Sequence, residues 1–76
     1  MDDYVLITFQ SQRERVDLRV PGFVKVAELL DMLADALSFP RESARSLQAE
    51  PLGRILDPDK TLDEEQVTEG SLLTLV

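Results

Sequence analysis

Hydrophobic and polar residues alternate in two successive stretches at the start of the chain. Val5, Ile7 and Phe9 fall on one side of residues 4–10, and Leu6, Thr8 and Gln10 fall on the other. A period of two among good strand formers predicts a half-buried strand. After Ser11 and Gln12 the alternation resumes, with Val16, Leu18 and Val20 on one face and Arg13, Arg15, Asp17 and Arg19 on the other. An antiparallel hairpin is expected, its outer face carrying the arginines. Pro21 and Gly22 then break the ladder, and Val26, Leu29, Leu30, Leu33 and Leu37 recur at helical spacing, opposite Glu28, Asp31 and Asp35. This predicts one amphipathic helix of about three turns. No Ser, Thr, Asp or Asn directly precedes Lys25. Its start therefore lacks an evident side-chain cap, and Glu28 and Asp31 are expected to support it through the helix dipole.

Pro40 disfavours helical geometry at Phe39, so Ser38, Phe39 and Pro40 should end the helix, with residues 41–45 as a connection. Weak strand patterns follow at 46–50 and 54–56, separated by the turn formers Pro51, Leu52 and Gly53. Asp57, Pro58 and Asp59 form a second turn. Thr61 and Glu64 then make a Ser/Thr-x-x-Glu capping pattern for a short helix, whose Leu62 and Val67 should face the core. Gly70 permits the last reversal, and residues 71–76 alternate Leu73 and Leu75 against Leu72, Thr74 and Val76, predicting a closing strand.

Strand, strand, helix, strand, short strand, short helix, strand has few compact solutions. The helix must cover a sheet, and a final strand placed beside the first would bury Leu73 and Leu75 against Val5, Ile7 and Leu29. The expected fold is α+β: a β-grasp, with a mixed four- to five-stranded sheet packed on one main helix plus a short helix. A helix of about 12 residues is about 18 Å long, enough to cross four or five strands about 4.8 Å apart.

With 76 residues, residues 1–76 are expected to form a single domain. Its expected net stability is only about 3 to 5 kcal/mol. Cysteine and histidine are both absent, which removes disulfides, thiolate and imidazole metal sites, and the usual general base near neutral pH. Fifteen acidic against eight basic residues give a formal charge of −7, which argues against nucleic acid as a partner. No apolar run approaches the roughly 20 residues that span a bilayer, and the acidic start is unlike a secretory signal, so a cytoplasmic location is expected.

Asp57-x-Asp59-x-Thr61 after Ile55 and Leu56 looks like a phosphatase nucleophile loop, but nothing else here fits the larger doubly wound sheet of that chemistry. As an EF-hand loop the same stretch fails, with Leu62 at the glycine position and Thr68 at the bidentate glutamate position. Glycine occurs only at 22, 53 and 70, so no phosphate-binding loop or dinucleotide fingerprint exists. No serine has a histidine partner. No catalytic, cofactor or metal residue is nominated, and no enzyme activity or cofactor is expected. The hairpin arginines admit two readings: charges that discourage edge pairing, or a contact for an acidic partner surface. Leu6, Leu72 and Val76 should lie on the same open sheet face, away from the helix, and form a modest apolar patch.

Residues 54–76, Arg-Ile-Leu-Asp-Pro-Asp-Lys-Thr-Leu-Asp-Glu-Glu-Gln-Val-Thr-Glu-Gly-Ser-Leu-Leu-Thr-Leu-Val, are similar to the last third of ubiquitin-like domains. Val16-Asp17-Leu18-Arg19-Val20-Pro21, the leucine helix and Glu69-Gly70-Ser71-Leu72-Leu73-Thr74-Leu75 most resemble the YukD/EsaB group of type VII (WXG100/ESX) secretion systems. The same domain forms the cytosolic N-terminus of the membrane component EccD. The resemblance implies that residues 1–76 are one ubiquitin-like domain, a non-conjugating protein-interaction module, accessory or regulatory, working in the cytoplasm or at the inner face of the membrane. It further implies partners among the secretion membrane components, notably the FtsK/SpoIIIE-like ATPase; whether the chain also forms a homodimer through its sheet is left open by the sequence.

Departures from ubiquitin point the same way. There is no di-glycine tail, and Val76 is expected within the closing strand. By resemblance, the central isoleucine of the ubiquitin recognition patch falls on Glu50 and its valine on Val76. The lysine most used for chain linkage corresponds to Arg54, and Lys25 and Lys60 are the only lysines. A domain excised from an EccD-like membrane protein is the alternative, and a covalent modifier the more remote one. The nominated protein-binding residues are Leu6, Arg13, Arg15, Arg19, Glu50, Leu72 and Val76.

Overall fold

A computed structural model describes residues 3–38 and 46–76. In chain order it forms β1 (Tyr4–Gln10), β2 (Arg15–Pro21), α1 (Val26–Leu37), β3 (Leu47–Glu50), β4 (Arg54–Ile55) and β5 (Ser71–Leu75). The strands lie in the order β2-β1-β5-β3-β4. β5 sits in the middle, parallel to β1 with Phe9 opposite Leu73, and antiparallel to β3 with Ala49 opposite Leu73. This is the ubiquitin-like β-grasp, and the central position of β5 follows from its composition: Leu73 is fully buried, with core neighbours on both flanking strands.

The alternation assigned the faces of the hairpin correctly. Val5, Ile7, Phe9 and Val20 are buried, while Val16 and Leu18 are half-buried toward the outer strand. Val26, Leu29 and Leu33 of α1 close the core together with Leu47, Ala49, Leu56, Leu62, Val67 and Leu73. Leu75, expected inside, is only half-buried.

The start of α1 is held differently from what local sequence suggests. Lys25 at the N-cap offers no side-chain acceptor, and two of the orphan amides find carbonyls far along the chain. Val26 N–H donates to the Lys60 carbonyl at 2.8 Å and Ala27 N–H to the Pro58 carbonyl at 3.1 Å. Glu28 Oε1 accepts from Lys25 N–H at 3.4 Å, and Asp31 lies beyond the first turn. The cap is thus mainly tertiary, because helix amides need acceptors from any source. At the other end Ser38 adopts a left-handed conformation, with φ 59°, and closes the helix. The Phe39-Pro40 stop and the 41–45 connection lie outside the described residues.

The short helix expected from Thr61 is a single capped turn. Its capping box is present, with Glu64 N–H donating to Thr61 Oγ1 at 3.0 Å and Thr61 N–H to Glu64 Oε1 at 2.9 Å. Gln66 then turns left-handed, with φ 64°, so the helix does not propagate. This turn adjoins Lys60, whose carbonyl caps α1. Thr61→Ala is therefore expected to cost about 1 to 2 kcal/mol in urea unfolding. A loss below about 0.3 kcal/mol would remove the cap from this account.

Glu65 ties the turn to the sheet. It is 6% exposed, and its Oε2 accepts from Asp57 N–H at 2.6 Å and meets Arg54 Nη1 at 3.0 Å. Arg54 Nη2 also donates to the Glu65 carbonyl at 2.9 Å. The Asp57 N–H holds the Glu65 carboxyl below its ordinary value; burial opposes this, and Arg54 reinforces it. At Gly22 the chain passes so close to the turn that a β-carbon would stand 2.5 Å from Asp63 Oδ1. Asp63 N–H donates to the Gly22 carbonyl there, and Gly22 N–H to that of Asp3.

Candidate functional site

Strand register sets the layout of the sheet face opposite α1. Because the buried residues of β1 are Val5, Ile7 and Phe9, the residues between them point to the open side. Leu6 stands opposite Arg19, Thr8 opposite Asp17 and Leu72, and Gln10 opposite Arg15 and Thr74. Glu50 stands opposite Leu72, and Gln48 opposite both Thr74 and Ile55. Leu6 and Leu72 are therefore diagonal neighbours, a spacing of about 7 to 8 Å that side chains can bridge. Val76 lies four residues beyond Leu72, about 13 Å along the strand. The Val76 backbone pairs in both directions with Ser46, at 2.9 and 3.1 Å. The expected apolar patch thus divides into a Leu6–Leu72 pair and a separate Val76.

The arginines do not form one cluster. Arg15 and Arg19 belong to β2, with Asp17 between them on the same face. Asp17 Oδ1 accepts from Thr8 Oγ1 at 2.7 Å, and Arg15 Nη1 donates to Gln10 Oε1 at 3.4 Å. Arg13, expected on the same strand face, instead lies in the hairpin loop before β2. The loop closes where Ser11 N–H donates to the Glu14 carbonyl at 2.8 Å, and Ser11 Oγ accepts from Arg13 N–H at 3.3 Å. The serine hydroxyl competes for the backbone at just this point, which ends the ladder earlier than alternation implies. Glu50 is half-buried, and its Oε2 accepts from Gln48 Nε2 at 3.0 Å.

Residues beyond those nominated extend the face. Tyr4 is 48% exposed and Phe23 55%, and their rings meet edge to face with centroids 5.9 Å apart. Tyr4 shares the parity of Leu6, so alternation carried one residue further would have found it. Phe23 follows the Pro21-Gly22 break and had no local signal. Ile55, 49% exposed, joins the open face only through its register with Gln48. Near Tyr4 a cleft of about 370 Å³ is lined by Asp3, Val5, Asp63, Val67, Thr68 and Glu69. A Glu69 carboxylate oxygen accepts from Leu6 N–H, and Gly70 N–H donates to the Leu6 carbonyl at 2.8 Å. Among the described residues no group of acidic side chains is arranged to hold a metal ion. No described helix is long and apolar enough to cross a membrane.

The open face carries exposed aliphatic and aromatic groups, guanidinium groups and acceptors side by side on one sheet. Comparison with known proteins places it in context. Residues 4–75 match the family described as "WXG100 protein secretion system (Wss), protein YukD". Among solved structures, the chain is similar to the ubiquitin-like domain of the Mycobacterium tuberculosis type VII secretion system protein EccD1. The two are 27% identical, with 96% of this chain and 97% of that one covered and a TM-score of 0.69. It also resembles the ubiquitin-like domain of an Arabidopsis thaliana protein, at 20% identity, coverage of 99% and 78%, and TM-score 0.80. Caldiarchaeum subterraneum ubiquitin gives 17% identity, coverage of 95% and 90%, and TM-score 0.73. These last two speak to the fold alone. No curated protein matches the chain.

Proposed function

Because the chain belongs to the YukD family of the WXG100 protein secretion system, we propose that it is a ubiquitin-like binding module of type VII secretion that acts through its open sheet face. The observation that carries this reading is the Leu6–Leu72 pair flanked by Arg19 and by the exposed Tyr4 and Phe23. Aliphatic and aromatic groups beside guanidinium forks are the chemistry enriched at protein interfaces. The module works by binding rather than by catalysis, as an accessory or regulatory component at the cytoplasmic face of the membrane complex. Arg15, Arg19 and Leu72 line the contact; Arg13, Glu50 and Val76 stand at its margin. Its partner is the FtsK/SpoIIIE-like ATPase of the same secretion locus.

Leu6→Glu combined with Arg15→Glu tests the surface without touching the core. Binding to the purified cytosolic part of that ATPase should weaken at least tenfold, about 1.4 kcal/mol, while the thermal unfolding curve stays in place. Unchanged affinity would sink this choice of surface. The same resemblance supports a domain of a larger EccD-like protein, given near-complete mutual coverage with the EccD1 domain. An epitope-tagged genomic copy distinguishes the readings: a band near 8.6 kDa indicates a stand-alone module, a far larger one a membrane-protein domain. A denaturation-resistant ladder would indicate covalent conjugation instead.

A further inference from the structure

The cleft beside Tyr4 takes its walls from three separate parts of the chain. Asp3 precedes β1, Asp63 belongs to the Thr61 turn and Glu69 precedes β5; these exposed acids share the lining with the buried Val5 and Val67. Among the described residues no lysine or arginine lines it. Its volume of about 370 Å³ falls within the range of about 300 to 1,000 Å³ typical of ligand pockets. Backbone hydrogen bonds fix the walls. Gly22 N–H donates to the Asp3 carbonyl and Asp63 N–H to the Gly22 carbonyl, both at 3.0 Å. The Glu69 carboxylate and the Gly70 N–H are tied to the Leu6 N–H and carbonyl. A site held in this way is formed before a ligand arrives, which lowers the ordering cost of binding.

Two kinds of group attract a cation here, and together they select its type. The Tyr4 ring stays 48% exposed despite its contacts within the chain, and Phe23 meets it at an interplanar angle of 83°. Exposed aromatic rings attract organic cations over their faces, guanidinium above all. Among the described residues no group of carboxylates is arranged to hold a metal ion, so the spacing of these acids does not suit a small bare cation. The two valines give an apolar floor, which accepts the methylene stem of a long basic side chain. We propose that the cleft receives an arginine side chain from an extended segment of a partner protein. The guanidinium plane stacks against Tyr4 while its N–H fork reaches the carboxylates. Glu69 gives one oxygen to the Leu6 N–H, and the roughly four acceptor sites of a carboxylate leave room for the guanidinium as well. A chain of charge −7 draws basic segments toward it. This goes beyond the open-face reading, since there the chain supplies guanidinium groups and here it supplies carboxylates.

The test is a titration of the isotope-labelled chain with the peptide acetyl-Gly-Arg-Gly-amide, followed by backbone amide shifts in nuclear magnetic resonance. A single side chain binds weakly, so the shifts should saturate with a Kd of about 1 mM. They should centre on the amides of Asp3, Tyr4, Asp63 and Glu69 and leave Glu28 and Asp31, exposed acids of α1, in place. The citrulline peptide has the same shape without the charge and should bind at least tenfold more weakly, and the lysine peptide about threefold more weakly. Tyr4→Leu keeps apolar bulk but removes the ring, and should weaken the arginine peptide about threefold. Asp63→Asn combined with Glu69→Gln should weaken it at least tenfold. The new glutamine still offers an oxygen to the Leu6 N–H, and an unchanged thermal unfolding curve checks that the fold is kept. Equal shifts at Glu28 and Asp31, equal binding of the citrulline peptide, full affinity in the doubly substituted chain, or no saturation up to about 20 mM would each overturn the proposal. The double substitution touches neither Leu6 nor Arg15, so loss of peptide binding with retained ATPase binding separates the cleft from the open face.

Discussion

Leu73→Ala is expected to lower the free energy of unfolding by about 3 to 5 kcal/mol, and Leu75→Ala by only about 1 to 2 kcal/mol. Both residues lie on β5 with the same parity, so alternation treats them alike. Leu73 is 0% exposed and stands between Phe9 of β1 and Ala49 of β3, which are also fully buried. A cavity there is enclosed on all sides, and the neighbouring strands cannot collapse into it without breaking ladders. Leu75 is half-buried and stands opposite Leu47 near the end of the sheet, where solvent already reaches it. A domain of this size has about 3 to 5 kcal/mol to lose, so Leu73→Ala should be largely unfolded at 25 °C. Urea titration followed by circular dichroism reads both changes. Equal losses at the two positions would contradict the placement of β5.

The second large effect is acid sensitivity through Glu65. Its folded-state pKa lies below the ordinary glutamate value of 4.5, because the charged form accepts the Asp57 N–H and faces Arg54. A depressed carboxyl pKa stabilises the folded state fully above the unfolded value. That contribution is lost as pH falls through the lower folded value. Glu65→Gln should therefore be less stable than the parent at pH 7, and the gap should narrow only as pH falls below the ordinary value of 4.5 and through the lower folded value. Taking the difference between the two proteins cancels the titration of the other carboxylates. Arg54→Met should show a smaller gap of the same sign, since the Asp57 N–H, the largest cause of the shift, remains. A gap that is constant between pH 7 and pH 3 would show that the carboxylate charge contributes nothing.

Much of the sheet was legible because its signals are local. The bounds of β1 and α1, and the inward faces of both hairpin strands, follow from periodicities of 2 and 3.6 that each segment carries by itself. The open-face placement of Leu6, Leu72, Arg15 and Arg19 followed from the same parity. Arg13 escaped because a turn decides where a ladder begins: the Ser11 hydroxyl takes the N–H groups of Arg13 and Glu14, so the ladder starts only at Arg15. Thr61 and Glu64 were rightly matched as a capping box, yet a cap only starts a helix. With the chain turning left-handed at Gln66, one turn is all that forms.

The sequence by itself determined which face of each element turns inward, the order of those elements, and hence a β-grasp, because the inward face follows from a pattern repeated within a few residues. Only the tertiary structure decided what depends on partners distant in the chain. The amides of Val26 and Ala27 are capped by Lys60 and Pro58. The Glu65 carboxylate is buried because β4 brings Arg54 to it. Ile55 and Phe23 join the exposed face only through strand register and a ring contact with Tyr4. Hydrogen bonds and ion pairs are made between specific atoms at specific distances, and no local periodicity encodes which distant atoms will meet.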